Sequence, residues 1–428
     1  MIISSIDLKD GKVVQLRQGK DLVLERDNPD ELIAEFNRYG EVAIIDLDAA
    51  LRNTAPDGST ANSAILKRLL RRGNVRVGGG IRSAKTAREL VSLGAEKVIV
   101  GSAAFTLPDG SPGVNTGFLS QFAEAVGKEH VIVSVDAREG NIAVKGWTES
   151  AGIDVIEGAK AVEPFCSELL FTCVEREGTM TGIDLKLVKK LRAAVRCRLV
   201  VAGGVSTLEE VVALEKLGCD VQLGMALYTG AVSPADGFVE CLDWNKQEMM
   251  PVIAQSVTGE VLMMGYANRE ALKTTFARGL LTFWSRSRNE LWTKGETSGN
   301  TLEVIKLRMD CDRDTILATV RPAGPACHTG AWSCFSTVAD RPYSLDYLSS
   351  VIADRFANPK PGSYTATLNG ERVREKVMEE AEELTEAEDR DEVIWETADL
   401  LYFVNVLMNR EGVSWKDVLD ELDRRHKK

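Results

Sequence analysis

The sequence predicts three folds in succession: an α/β (β/α)8 barrel over residues 1–240, a small, mainly-β α+β domain over 241–342, and an all-α domain over 343–428. Three observations predict this order. Residues 1–240 alternate short Val/Ile/Leu-rich segments with amphipathic helical stretches, the pattern of a parallel sheet with crossover helices. Two motifs in this region return about half its length later. From Asp243 the composition shifts to Trp, Thr, Arg and Cys, and from Ser344 it becomes acidic and helix-periodic. A chain of 428 residues also exceeds what one ordinary core organises.

Eight strands are expected near residues 2–8, 42–47, 74–78, 97–101, 131–136, 169–173, 198–202 and 221–225, the number that closes a barrel. Ser5-Ile-Asp7 returns as Ser134-Val-Asp136, 129 residues on, and Gly79-Gly80-Ile81 returns as Gly203-Gly204-Val205, 124 residues on. Two motifs recurring in register indicate two related halves. The second region reads as short strands with a helix at Arg269–Arg278. The third shows i, i+3, i+4 apolar positions over 347–356, 371–386 and 391–410. No low-complexity linker separates the parts, so the domains are expected to abut.

A formal net charge of −12 argues against a general nucleic-acid binder, which needs a basic face. No apolar run approaches the roughly 20 residues of a membrane span. The N-terminal stretch lacks the pattern of a signal peptide, so a cytoplasmic location is expected. Five of the eight cysteines (Cys166, Cys173, Cys197, Cys219, Cys241) are scattered and read as small core residues. Cys311, Cys327 and Cys334 fall close together and need another reason.

Asp7 and Asp136 fall at the C-terminal ends of the first and fifth strands, opposite each other at the mouth, where barrel enzymes carry their chemistry. Facing carboxyls suit a reaction needing an acid on one side and a base on the other. Gly78-Gly79-Gly80 with Gly101-Ser102, and Gly203-Gly204 with Gly224-Met225, form two matching glycine sets. Glycine lets backbone N–H groups approach phosphate oxygens, so two sets predict a substrate with a phosphate at each end.

Ile6-Asp-Leu-x-Asp-Gly-Lys-Val-Val, Asp46-Leu-Asp48, Gly78-Gly-Gly-Ile-Arg82, Gly146-Trp147 and Arg176-Glu-Gly-Thr179 resemble the isomerase acting on phosphoribosylformimino-aminoimidazole carboxamide ribotide (ProFAR). The resemblance implies an Amadori rearrangement with Asp7 as base and Asp136 as acid, and substrate contacts from Arg82, Trp147, Glu177 and Thr179. Where the family usually reads Asp-Gly-Thr, this chain has Glu177-Gly178-Thr179. That departure leaves a second reading, a barrel kept for binding or assembly.

Asp310-Cys311-Asp312-Arg313-Asp314 is the densest chemical signal. Read as an extended strand, it points Asp310, Asp312 and Asp314 to one face, where hard oxygen ligands suit Mg2+, and Cys311 to the other. With Cys327 and Cys334, Cys311 supplies three thiolates, which with one open position suit a catalytic Zn2+. His328 beside Cys327 is a candidate for proton transfer. Val261-Leu-Met-Met, Ser285-Arg-Ser-Arg288, Lys294-Gly-Glu-Thr-Ser-Gly-Asn300 and Cys327-His-Thr-Gly330 resemble phosphoribosyl-AMP cyclohydrolase. This implies hydrolytic opening of the adenine ring, zinc on the three cysteines with one thiolate from a partner subunit, hence a homodimer, and phosphate contacts from Arg286, Arg288 and Lys294.

Glu380 and Glu383, then Glu396 and Asp399, are two i, i+3 pairs. Helices packed antiparallel across 387–391 would bring the four acids around Mg2+ on a substrate's phosphates. Gly362-Ser-Tyr-Thr365, Lys376-x-x-Glu-Glu380-x-x-Glu383 and Glu396-x-x-Asp399 resemble phosphoribosyl-ATP pyrophosphohydrolase, which implies release of pyrophosphate and a phosphate contact from Lys376. The three resemblances imply consecutive steps on small phosphorylated substrates: phosphoribosyl-ATP, phosphoribosyl-AMP and ProFAR.

Overall fold

The computed structural model describes residues 1–51, 54–55, 59–336 and 343–426. The chain packs as two compact units, Met1–Val257 with Val261–Ala326, and Thr258–Glu260 with Cys327–Lys428. The domain junction expected at residue 342 lies outside the described residues.

Eight strands form the barrel: β1 (Ile2–Lys9), β2 (Glu41–Asp46), β3 (Val75–Gly78), β4 (Lys97–Val100), β5 (Val131–Ser134), β6 (Glu168–Thr172), β7 (Arg198–Ala202) and β8 (Asp220–Leu223). Each pairs in parallel with the next, and β8 closes onto β1 with Ile2 opposite Val221. The expected strands coincide with these eight to within a few residues.

Strand parity sorts the side chains. On β1, Ile2, Ile6 and Leu8 join the large apolar layer between strands and helices, whereas Ile3 faces the barrel axis. Ser5 and Asp7, on the same parity as Ile3, follow it toward the mouth. The axis is filled in layers, as a packed barrel requires. Its middle layer is aliphatic: Ile3, Ala43, Ile99, Ile132, Leu170 and Val200. Below it lies a floor of charge. Arg76, 1% exposed, pairs with Glu41 and Glu168, while Lys97 Nζ lies 3.1 Å and Arg198 Nη1 3.0 Å from Glu168 Oε2. Buried charge is tolerated there because each member has counter-charges at hydrogen-bond distance.

The same compact unit contains a four-stranded sheet made by β9 (Met250–Ser256), β10 (Val261–Ala267), β13 (Leu302–Met309) and β14 (Ile316–Pro322), in the order β10-β9-β14-β13. A two-stranded ribbon, β11 (Thr282–Ser285) and β12 (Glu290–Thr293), lies between them in sequence. Helix α1 (Arg269–Arg278) has the expected bounds and ends at Gly279, whose φ of +66° closes it in the left-handed region. The barrel abuts this sheet, as expected: Tyr39 stacks on Phe276 at 4.8 Å, and the Leu307 N–H donates to the Arg38 carbonyl at 3.0 Å.

The second unit is helical, with α2 (Leu345–Ala357), α3 (Gly370–Glu386), α4 (Arg390–Glu411) and α5 (Trp415–His426). Ser344, Asn369 and Asp389 cap the first three through side-chain oxygens. Leu348, Ile352, Val373, Phe403 and Val406 form its core. Helix α5 was not among the sequence expectations.

Candidate functional site

At the barrel mouth a cavity of about 260 Å³ is lined by Asp7, Asp136, Glu177, Arg82, Trp147 and both glycine sets. The structure therefore brings together nearly every barrel residue singled out from sequence. Thr179 does not line it; its hydroxyl donates to the Arg176 carbonyl at 2.8 Å and so braces the turn carrying Glu177.

The two halves repeat one construction. The Ser5 hydroxyl donates to Asp7 Oδ1 at 2.8 Å, and the Ser134 hydroxyl to Asp136 Oδ1 at 2.6 Å. These serines stood in the repeated motif but carried no assigned role. A residue two positions earlier on a strand points the same way, so the Ser-x-Asp spacing itself is the signal. Asp136 is held further by Trp147 Nε1 at 2.7 Å from Oδ2. Gly79 (φ +102°) and Gly203 (φ +86°) take left-handed backbone, and an added Cβ would meet the Asp46 carbonyl oxygen at 2.1 Å and the Cys173 carbonyl oxygen at 2.8 Å. Only glycine permits these turns. Gly101 (φ −111°, ψ −104°) and Gly224 (φ −117°, ψ −94°) match each other as closely.

The three carboxyls differ in electrostatics. Burial raises Asp7 to about 6, against the Ser5 hydroxyl, which lowers it. Burial also raises Asp136, opposed by hydrogen bonds from Ser134, Trp147 and Thr172. Glu177 is pushed up to about 8 by burial first, then by the charges of Asp7 and Asp136. At neutral pH the mouth thus presents one ionised carboxylate in Asp7 and one protonated carboxyl in Glu177.

The Asp310–Asp314 run is a turn rather than the expected strand: β13 ends at Met309, β14 starts at Ile316, and Arg313 takes φ +61°. The Asp310 carboxylate accepts the N–H groups of Asp314 (3.0 Å) and Thr315 (3.1 Å), which folds the loop back on itself. The three aspartates still converge, with oxygens within 4.8 Å of one another. Lys246 Nζ lies 2.6 Å from Asp312 Oδ2 and 3.0 Å from Asp314 Oδ2. Its hydrogen bonds hold Asp312 below the usual carboxylate range. Cys311 is exposed on this loop. In the second unit, Thr329 Oγ1 donates to Cys327 Sγ at 3.1 Å, and this bond first, with backbone groups and Cys334, lowers the Cys327 thiol toward thiolate. His328 Nδ1 lies 3.9 Å from that sulfur. Arg286 and Arg288 are exposed beyond β11, Arg286 over the Tyr266 ring at 4.1 Å. Lys294 is buried and donates to the Asn300 carbonyl.

On α3 and α4, oxygens of Glu380, Glu383 and Glu396 come within 4.8 Å of one another. Burial first raises both Glu380 and Glu396; neighbouring carboxylates including Asp399 add to it, and at Glu380 the Lys376 ammonium opposes the shift. Such mutual repulsion is what a bound cation relieves. Lys376 Nζ reaches Glu379 at 2.7 Å and Glu380 at 3.3 Å, so in this state it serves the acids.

Residues 1–233, more than half the chain, match the profile of the family described as histidine biosynthesis protein. The chain belongs to that family. Residues 263–336 match phosphoribosyl-AMP cyclohydrolase, and residues 345–426 match phosphoribosyl-ATP pyrophosphohydrolase. This histidine biosynthesis chain is therefore a fusion of a barrel with those two domains. It is similar to the histidine biosynthesis bifunctional protein HisIE of Pasteurella multocida, 45% identical over 199 residues, covering 44% of this chain and 99% of that protein. The HisIE of Escherichia coli K12 is 44% identical over 193 residues, covering 43% and 95%. That of Vibrio cholerae is 40% identical over 206 residues, covering 46% and 98%. Among the described residues no helix is long and apolar enough to cross a membrane.

Proposed function

We propose that this chain carries out three consecutive steps of histidine biosynthesis in the cytoplasm. It releases pyrophosphate from phosphoribosyl-ATP, opens the adenine ring of phosphoribosyl-AMP, and isomerises the resulting aminoaldose to the aminoketose. The supporting observation is that one chain gathers three separate acid clusters, each within a region matching a protein of this pathway.

In the barrel, the two glycine sets (Gly79, Gly80, Gly101 and Ser102; Gly203, Gly204 and Gly224) hold the terminal phosphates and place one ribose over the carboxyls. Asp7, ionised at neutral pH, removes the proton from the ribose carbon beside the anomeric centre. The ring oxygen needs a proton as the ring opens. Asp136 was the expected donor, but it is bonded to Ser134 and Trp147, whereas Glu177 retains its proton near pH 7. This supports Glu177 as the acid and Asp136 as a positioning residue. The longer Glu in place of the family's usual Asp is then compatible with turnover.

For ring opening we read Cys311, Cys327 and Cys334 as the donors to Zn2+, because three thiolates and one open position suit that ion, and the Thr329 hydroxyl already favours the thiolate of Cys327. When bound, Zn2+ supplies a water acidic enough to be hydroxide at neutral pH. In this reading His328, beside Cys327, moves a proton, the exposed Arg286 and Arg288 contact phosphate, and Lys294 does so only by leaving the Asn300 carbonyl. A homodimer in which a partner subunit contributes one thiolate completes the set. The clusters Asp310, Asp312, Asp314 and Glu380, Glu383, Glu396, Asp399 fit Mg2+, which supplies charge to offset phosphate oxygens. In this reading Lys376 exchanges its contacts with Glu379 and Glu380 for a phosphate once a cation takes over the acids.

The test is to feed phosphoribosyl-ATP to the purified full chain with Mg2+ and Zn2+ and separate the products chromatographically. Passage through to the aminoketose supports all three steps. Accumulation of the aminoaldose would instead make the barrel a binding or assembly module.

A further inference from the structure

The five-residue link from Asp243 to Gln247 does more than join the barrel to the sheet. Its Asp243 N–H donates to the Arg313 carbonyl at 2.8 Å, and the Gln247 side chain donates to the Asp314 carbonyl. Lys246 projects between these anchors, and its ammonium meets three oxygens of the loop: Asp312 Oδ2 at 2.6 Å, Asp314 Oδ2 at 3.0 Å and the Asp312 carbonyl at 3.2 Å. Asp310 is engaged differently, its Oδ1 accepting the loop's own N–H groups. The ammonium therefore lies on two of the three carboxylates that would ligate a hard divalent cation. A positive charge held there by the backbone anchors on either side cannot share those oxygens with Mg2+ without strong repulsion.

We infer that Lys246 is a resident counter-cation of the aspartate loop, which a divalent cation must displace from Asp312 and Asp314 in order to bind. This rests on the reading of Asp310, Asp312 and Asp314 as a cation site. Before metal arrives, the ammonium holds the loop folded against the repulsion of its own carboxylates. After metal arrives, the freed side chain is a cation beside the site, available to a phosphate oxygen. Lys246 is thus a specificity-determining residue that lowers the affinity of the loop for divalent ions and favours ions of high charge density over monovalent ones. The lysine is partly exposed, so displacing it is cheap and the effect is graded rather than absolute.

The experiment measures Mn2+ binding to the full chain by electron paramagnetic resonance, comparing the wild type with Lys246→Met, Lys246→Arg and Asp312→Asn. Asp312→Asn identifies the loop site as the population of bound Mn2+ that it removes. At that site Lys246→Met is expected to bind about threefold to fivefold more tightly, since it removes a competitor worth a modest exposed ion pair. Lys246→Arg, which keeps the charge, is expected to stay near wild type. Equal or weaker binding by Lys246→Met, with the Asp312→Asn loss intact, would overturn the role of Lys246 alone. No loss of Mn2+ on Asp312→Asn would overturn the cation site itself, and this inference with it. Unchanged circular dichroism of each variant excludes misfolding as the cause.

Discussion

Replacing Glu177 by Gln should make the protein more stable while stopping isomerisation, and the gain should depend on pH. An ordinary glutamate titrates near 4.5, and in the folded barrel Glu177 titrates at about 8. Below 4.5 the carboxyl is protonated in both folded and unfolded chains and contributes nothing. Between 4.5 and 8 the unfolded chain ionises while the folded one holds its proton, so stability falls by about 1.36 kcal/mol per pH unit. The loss amounts to roughly 3 kcal/mol at pH 7 and roughly 5 kcal/mol above pH 8. A glutamine fills similar volume and never ionises, which removes that dependence. The mouth opens to solvent, so about half is taken as realised: a gain of about 1–2 kcal/mol at pH 7, or several degrees in Tm. Thermal unfolding of the full chain, followed by circular dichroism at pH 5 and pH 8, measures it. A lower Tm at pH 8, or equal increments at both pH values, would refute the placement of a protonated carboxyl at the mouth.

Cys327→Ala should lower ring opening more than about a hundredfold while leaving pyrophosphate release within twofold, which parallel assays of the two products check. Glu383→Gln should do the converse, cutting pyrophosphate release about a hundredfold, since it removes one of three converging oxygens on α3 and α4. Glu168→Gln should cost about 3 kcal/mol in urea unfolding, because Arg76, Lys97 and Arg198 lose a shared counter-charge in a buried site. Its isomerase kcat should stay near wild type, as the floor lies a full aliphatic layer below the carboxyls.

The barrel was legible because strand parity and an internal repeat are written in adjacent residues. Ser5-x-Asp7 and Ser134-x-Asp136 report both the strand end and the direction of the side chains. The glycine sets were legible for a similar reason, since their backbone conformation excludes other residues. What escaped depends on pairs distant in sequence. Glu41, Arg76, Lys97, Glu168 and Arg198 sit on five different strands, and no local pattern announces that they meet. The protonated state of Glu177 arises first from burial, which tertiary packing sets, and then from two aspartates 170 and 41 positions away. The acid run 310–314 misled because alternating acids look like one strand face, whereas a residue at φ +61° turns it into a hairpin loop. Convergence survived the error, since a tight turn gathers carboxylates as well as a strand face does. Helix α5 was legible too, since Trp415, Val418, Leu419 and Leu422 stand at i, i+3, i+4 and i+7, but the expected helices stopped at residue 410.

The charged floor has a further consequence for how this barrel can change over time. Its acids and bases compensate one another at the end remote from the mouth, screened from it by aliphatic side chains. Robustness and reactivity are thus lodged at opposite poles of one cylinder. A lineage could loosen or tighten the lower pole to suit temperature, or graft a new neighbour beneath it, while the upper pole went on handling the same sugar phosphate.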